Sequence, residues 1–352
     1  MSALPWRFRA ATVMERTTWL HCVFLGFLIF LPSCTHAPQS TTKLLPVRIA
    51  VGGQAQMIYW PATLADSLGL YKQEGLEVSI EDFPGGSKAL ESLFGGSAEV
   101  VCGFYDHTVQ MAAQGRDLRA FISLLRYPGL VATTTSPAVK TLRDLQGKPV
   151  GVSAAGSSTH IFLNYLLSRN GLNPEDVSVV QIGLGATAVA AAGRNLVAAE
   201  IVTDPTVGLL QKQVPSLRIL ADTRDREGVR EVFGVDVYPA SVLYSTSTWL
   251  GSHREEATRL ARALSSTLAW MRSHSPEEIR QKMPASLRIE DAAIELEGVR
   301  SLKNMLSEDG LFTADGATLV QKVLATSMET VRNSKADLSK TYTNEFLKPS
   351  AP

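Results

Sequence analysis

The sequence predicts an α/β chain of two lobes joined by a hinge, each lobe a mostly parallel sheet with helices on its faces. Three observations lead there. From Val47 onward, short apolar runs of strand length alternate with stretches of helical period, the pattern left by helices that connect parallel strands. The same character starts afresh near Pro137. An extended stretch then returns after Gly234, ahead of three or four closing helices. The first lobe is therefore expected to be discontinuous, with the second inserted into it.

Taken in order, Val47 to Val51 alternates and stops at Gly52-Gly53, a strand. Leu64, Leu68 and Tyr71 fall at i, i+4 and i+7, and Pro61 suits a first turn, so a helix is expected from Pro61 to Tyr71. Leu76 to Phe83 is the next strand, stopped by Pro84-Gly85-Gly86. A short helix from Ser87 to Phe94, a buried strand from Ala98 to Cys102, a helix from Tyr105 to Gln114 and a strand from Leu118 to Leu125 follow. In the second unit, Thr141 to Gly147 reads as a short helix and Pro149 to Ser153 as a strand. Ser157 to Asn170 reads as a helix with Ser at its cap and Gly171 at its end. Strands at Val177 to Ile182, Val197 to Val202 and Leu217 to Leu220 alternate with helices near Thr187 to Ala192 and after Pro205. Val237 to Thr246 is extended, and helices over Arg254 to Arg272, Ile289 to Leu306 and Ala314 to Thr330 close the chain. These breaks assign 47–135 and 236–348 to lobe 1 and 136–235 to lobe 2.

The amino terminus carries an address. Arg7, Arg9 and Arg16 precede an apolar run from Trp19 to Leu31, shorter than the roughly 20 residues a spanning helix needs. A basic flank, a short apolar centre and a small residue make a secretory signal, with Met14 a second possible start. Leu31-Pro32-Ser33-Cys34 resembles a bacterial lipobox, with Pro32 where a small residue is usual. On that reading residues 1–34 are a signal peptide whose Cys34 thiol receives the lipid, giving an exported protein held to a membrane. An ordinary cleaved signal with an incidental cysteine is the other reading. Residues 35–46 are polar with two prolines, a tether.

Composition removes several functions. Lys and Arg number 34, as do Asp and Glu, so no basic surplus exists for phosphates and nucleic acid is not an expected partner. Apolar residues at 45% supply a real core. Of three cysteines, Cys22 lies in the leader and Cys34 at its end, which leaves Cys102 alone, without disulfide partner or zinc spacing. Gly-x-Ser-x-Gly and His-Glu-x-x-His do not occur. No catalytic residue, metal or cofactor is expected.

Open α/β sheets bind ligands beyond the carboxyl ends of their strands, so the candidates follow each strand. After the first come Gln54, Gln56, Tyr59 and Trp60, amides with an aromatic wall, or else a turn and helix packing. After the second, Gly85, Gly86 and Ser87 let backbone approach a ligand at a helix start, or form a plain cap. After the third come Tyr105, Asp106 and His107, where Asp106 either caps a helix or meets a ligand amine. In the second unit, Ser157, Ser158 and Thr159 open a helix and are the strongest oxyanion candidates, though no Walker lysine follows. Asp204 precedes Pro205 and can cap, bind, or both.

Several of these segments together resemble a known family. The run Ala65-Asp66-Ser67-Leu68-Gly69-Leu70-Tyr71-Lys72-Gln73-Glu74-Gly75-Leu76-Glu77-Val78, then Gly85-Gly86-Ser87, Gly103-Phe104-Tyr105-Asp106-His107-Thr108 and Leu142 to Val152, resemble the nitrate/sulfonate/taurine-type substrate-binding proteins of ABC transporters. The thiamine pyrimidine-precursor binding proteins belong to the same superfamily. The resemblance spans roughly Val47 to Leu210. It implies a periplasmic-binding-protein-like fold of type II, a small-molecule ligand in the cleft, an ABC permease and ATPase as partners, and a monomer. It also admits a sensor that binds the same kind of solute. Eukaryotic pyrimidine synthases of the superfamily use a Cys-rich iron-binding motif, absent here. A desulfinase-like use of Cys102 with His107 runs against its place on an apolar strand, where a buried, inert thiol is the better reading. Asp106 and Asp204 suit an amine, the serines an oxyanion, and Tyr59, Trp60 and Tyr105 a heterocycle.

Overall fold

The computed structural model describes residues 43–347. The leader with Cys22 and Cys34, and the tether up to residue 42, lie outside the described residues. In chain order the strands are β1 (Leu45–Val51), β2 (Leu76–Asp82), β3 (Val100–Phe104), β4 (Arg119–Ser123), β5 (Val131–Thr134), β6 (Pro149–Val152), β7 (Ser178–Gln181), β8 (Ala199–Val202), β9 (Arg218–Asp222) and β10 (Ser241–Ser245). They form two five-stranded sheets, ordered β2-β1-β3-β10-β4 and β7-β6-β8-β5-β9. The fold is bilobed α/β, as the sequence predicts. Parallel pairing joins β2, β1 and β3, and likewise β7, β6 and β8. Each sheet is nevertheless mixed. The chain's first strand after leaving the first sheet, β5, runs antiparallel to both neighbours, and so does β10, the first strand after its return.

Helices α1 (Trp60–Ser67), α2 (Leu70–Gln73), α3 (Gly86–Phe94) and α4 (Tyr105–Ala113) serve the first sheet. The second carries α5 (Ser158–Arg169), α6 (Ala186–Gly193), α7 (Thr206–Gln213) and α8 (Arg226–Phe233). The chain closes with α9 (Ser247–Ser252), α10 (Arg254–Ser273), α11 (Pro276–Lys282), α12 (Ala292–Met305), α13 (Ala314–Ser327) and α14 (Glu329–Arg332). The single helix expected from Pro61 to Tyr71 is two, because Gly69 adopts φ 72° between them, a left-handed turn a β-carbon would resist. The strand expected from Leu118 to Leu125 stops at Ser123, after which the amides of Leu124 and Leu125 bond the Ser241 carbonyl.

Two devices complete the body. Residues 341–343 run along β4: the Ala120 amide donates to Thr341 O and the Thr343 amide to Ala120 O, which covers an otherwise open sheet edge. Trp249-Leu250-Gly251-Ser252-His253 and Trp270-Met271-Arg272-Ser273-His274 end α9 and α10 in the same way. Each His ring stacks on its Trp, at 5.0 and 4.1 Å, and its Nδ1 sits 3.2 or 2.8 Å from the Trp carbonyl, which also accepts the His backbone amide.

Side chains alternate across each strand. On β8, Ala199 and Ile201 join the main core, while Val202 joins a smaller one with Val131, Ile182, Ala188, Val207 and Leu210. Glu200 shares the Val202 side. It is 2% exposed, and among the described residues neither carboxyl oxygen has a hydrogen-bond partner, nor has the Oγ1 of Thr133, opposite it on β5. Burial pushes the Glu200 carboxyl up to about 8.

Candidate functional site

The carboxyl ends of all six parallel strands, three from each sheet, turn toward one place. Its geometry begins with Gly52, at the end of β1. A β-carbon there would lie 2.4 Å from the Gly86 amide nitrogen, so only glycine allows β1 to rest against the start of α3. Gly52, Gln56, Ile58, Tyr59, Gly86 and Phe104 line a cavity from the first sheet's side. Leu130, Ser153, Ser157, Ser158, Thr159, Leu184 and Thr203 line it from the other. Its volume is about 20 Å³, room for roughly one water, because the two sides touch directly.

Those contacts are hydrogen bonds between loops of the two sheets. The Ser87 amide donates to Ser157 Oγ at 3.0 Å, and Ser157 Oγ donates to Ser87 Oγ at 3.2 Å. Ser158 Oγ donates to Asp106 Oδ1 at 2.9 Å. Thr203 Oγ1 donates to Gln56 Oε1 at 2.8 Å, and the Met57 amide donates to Asp204 O at 3.0 Å. Ser153 and Thr159 bond each other below this layer, at 2.9 Å.

Among the described residues, no charged side chain lines the central cavity. Its polarity comes from hydroxyls, the Gln56 amide and the first turns of α3 and α5. First-turn amides lack intrahelical acceptors and carry the positive end of the helix dipole. Asp106 stands just outside, against a second small cavity walled by Phe104, Phe162, Phe233 and Tyr238. Burial raises the Asp106 carboxyl above the usual carboxylate range, against the pull of His107 and the Ser158 hydroxyl.

The sequence-derived candidates divide accordingly. Gln56, Tyr59, Gly86, Ser157, Ser158 and Thr159 are brought together around the cavity. Ser87 joins them through Ser157. It is no helix cap, since α3 starts at Gly86 with Gly85 before it. His107 lies behind Gly86, fully buried. Gln54 turns away: its amide nitrogen donates to Asp82 Oδ1 at 2.7 Å and its side chain to Thr63. Tyr105 is spent on the C-terminal strap, its hydroxyl 2.5 Å from Thr341 Oγ1, and Trp60 is core. Asp204 is neither cap nor free charge. Helix α7 begins at Thr206, and the Asp204 carboxylate meets Arg224 Nη1 at 3.2 Å, while Asp222 holds the other face of that guanidinium. Ile58, Leu130 and Leu184 were missed. Leu184 had a signal, since Gly183 and Gly185 bracket it just after β7.

Cys102 is fully buried on β3, and burial pushes its thiol up to about 12. A nucleophilic thiolate is therefore not available there. Among the described residues, no cluster of three His, Cys, Asp or Glu could hold a metal ion.

Comparison with known proteins gives the chain its relatives. A solved protein from Bordetella bronchiseptica RB50 superposes with a TM-score of 0.82 at 35% identity, covering 87% of this chain and 96% of that one. The alkanesulfonate-binding protein SsuA from Xanthomonas axonopodis pv. citri, bound to MOPS, shares the fold with a TM-score of 0.63 at 20% identity, over 86% of this chain and 99% of its own. The 4-amino-5-hydroxymethyl-2-methylpyrimidine phosphate synthase of Schizosaccharomyces pombe is 29% identical over 133 residues, 37% of this chain and 38% of the enzyme. The match thus spans well under half of that enzyme's length. A family model described as NMT1/THI5 like covers residues 58–279, more than half of the sequence, and this chain belongs to that family.

Proposed function

We propose that this chain is the extracytoplasmic solute-binding subunit of an ABC importer, which delivers a small solute to a membrane permease and its ATPase and catalyses nothing. The observation that carries the reading is the meeting of the α3 and α5 first turns, from different sheets, at one cavity without charged side chains. Amides and hydroxyls arranged this way suit acceptor oxygens on a small solute. The sulfonate-binding neighbour supports the same reading, so a sulfonate- or nitrate-like solute is the first candidate. Residues 45–123 with 241–347 carry the first lobe's sheet and 131–222 the second's, so the first crossing falls before β5 and not at residue 135, where the sequence suggested it. Rotation in the crossings at 124–130 and 223–240, which lie between the strands of the two sheets, opens the serine contacts to admit solute. The Cys34 thiol carries the lipid that holds the protein at the membrane. The synthase likeness does not extend to chemistry here, since the lone cysteine of the described residues is buried and protonated.

The test is a thermal-shift screen of the purified protein against sulfonates, nitrate, bicarbonate, pyrimidines and riboflavin. Binding to the folded state raises the melting temperature by mass action. One class should raise it in wild type and raise it less in Ser157→Ala. A panel without any rise, or a rise untouched by truncating both Ser157 and Gln56, overturns the cleft as the site.

A further inference from the structure

His107 is fully buried, and its Nε2 has no hydrogen-bond partner among the described residues. Its other nitrogen, Nδ1, lies 3.2 Å from the hydroxyl of Tyr244 on β10, with the two rings edge to face at 90°. Tyr244 is also fully buried, and its hydroxyl makes no other hydrogen bond among the described residues. Gly103 makes room for this phenol, since a β-carbon there would lie 2.9 Å from its ring.

The pairing fixes where the imidazole proton sits. Burial holds the Tyr244 hydroxyl in its neutral form, with one proton to donate. Were His107 Nδ1 protonated in the neutral ring, it would donate to the phenol oxygen. The phenol proton would then be buried without an acceptor, which is the costly arrangement. With the phenol donating to Nδ1, the ring proton sits on Nε2. The doubly protonated ring also carries a proton there. In both arrangements Nε2–H is a donor.

Gly86 shows where this donor lies. A β-carbon on Gly86 would sit 3.2 Å from His107 Cε1, 4.0 Å from Nε2 and 4.0 Å from Ser157 Oγ. The imidazole edge thus backs the first residue of α3, at the corner where the other sheet's serine arrives. We infer that Tyr244 fixes His107 as an Nε2–H donor, and that this donor is the specificity-determining contact for an acceptor oxygen of the solute. The inference rests on the cleft being the solute site. It makes Tyr244 a positioning residue, and it selects solutes bearing a sulfonyl, nitrate-type, carboxyl or carbonyl oxygen over those that offer only N–H groups.

Two measurements test it on the intact protein. Long-range proton–nitrogen spectra of histidine-labelled protein report the tautomer directly. Wild type should show His107 protonated at Nε2, and Tyr244→Phe should lose that fixed pattern. Calorimetric titration with ethanesulfonate and with nitrate reads the contact. Tyr244→Phe and His107→Leu should each weaken the probe that binds wild type by about tenfold, and His107→Asn, which keeps a donor, should recover part of the loss. A His107 ring protonated at Nδ1 alone overturns the inference whatever binds. Binding weakened by Ser157→Ala but unchanged in Tyr244→Phe and His107→Leu overturns it and leaves the cleft reading standing. Failure of both probes to bind wild type overturns the oxyanion reading and the inference with it.

Discussion

Replacing Glu200 by Gln should flatten the pH dependence of folding stability. The unfolded chain releases this proton near 4.5, whereas the folded chain holds it until about 8. Across that window the unfolded state binds fewer protons than the folded one, so stability falls as pH rises. Each pH unit inside the window is worth about 1.4 kcal/mol, which makes the loss in wild type between pH 5 and 9 roughly 4 kcal/mol. No salt bridge within the described residues offsets it, because neither Glu200 oxygen has a partner. Glutamine keeps the shape and cannot ionise. It leaves a polar amide in the same apolar pocket, so its absolute stability at low pH is no guide, and the slope is the measured quantity. Urea unfolding at pH 5, 7 and 9 for both proteins supplies it. Wild type should lose stability steadily over the series, and the difference between the two proteins should shift by several kcal/mol in favour of Gln. Parallel curves would refute the reasoning, showing that the folded protein hydrates or pairs the Glu200 carboxylate.

Three further outcomes follow from the same geometry. Arg224→Ala should lower the melting temperature more than Asp204→Asn, since the first strands a buried carboxylate, at a cost of about 3–5 kcal/mol, while the second leaves Arg224 held by Asp222; paired melts decide it. The Cys102 thiol should resist a disulfide reagent at pH 8 in folded protein and react on adding denaturant, and fast labelling without denaturant would contradict its burial. Cys34→Ser should abolish incorporation of labelled fatty acid, and equal label in mutant and wild type removes the lipobox.

Much of the site was legible because strand ends announce themselves. The glycines and serines after β1, β2 and β6 stop apolar runs, and the rule that ligands gather beyond strand ends brought Gln56, Gly86, Ser157, Ser158 and Thr159 to one place. What the sequence hid is what depends on distant partners. Asp204 reads as a cap or a charge for ligand, and nothing local reveals that Arg224 claims it. Tyr105 looks like a neighbour of Asp106 with the same prospects, yet the strap at Thr341 takes its hydroxyl. Tyr244 lies in an apolar run on a strand borrowed from beyond the second lobe, so its pairing with His107 is invisible until β10 is placed beside β3. The role of the two Trp-x-x-Ser-His segments as helix ends shows only in the stacked rings.

The position of β10 also sets an order of events. It lies between β3 and β4, which have no pairing with each other. A chain emerging amino end first therefore completes β1 to β4 while a strand-wide slot stays open, and the slot fills only after the whole second sheet has passed. Until then β3 and β4 present unpaired edges, and such long-range pairings are slow to form. A chain cut between Asp222 and Ser241 would hold every strand of the second sheet and still leave the first one split. The insertion that builds the cleft thus also delays the first lobe, keeping it open to unfolding machinery, and to mispairing, until β10 has been made.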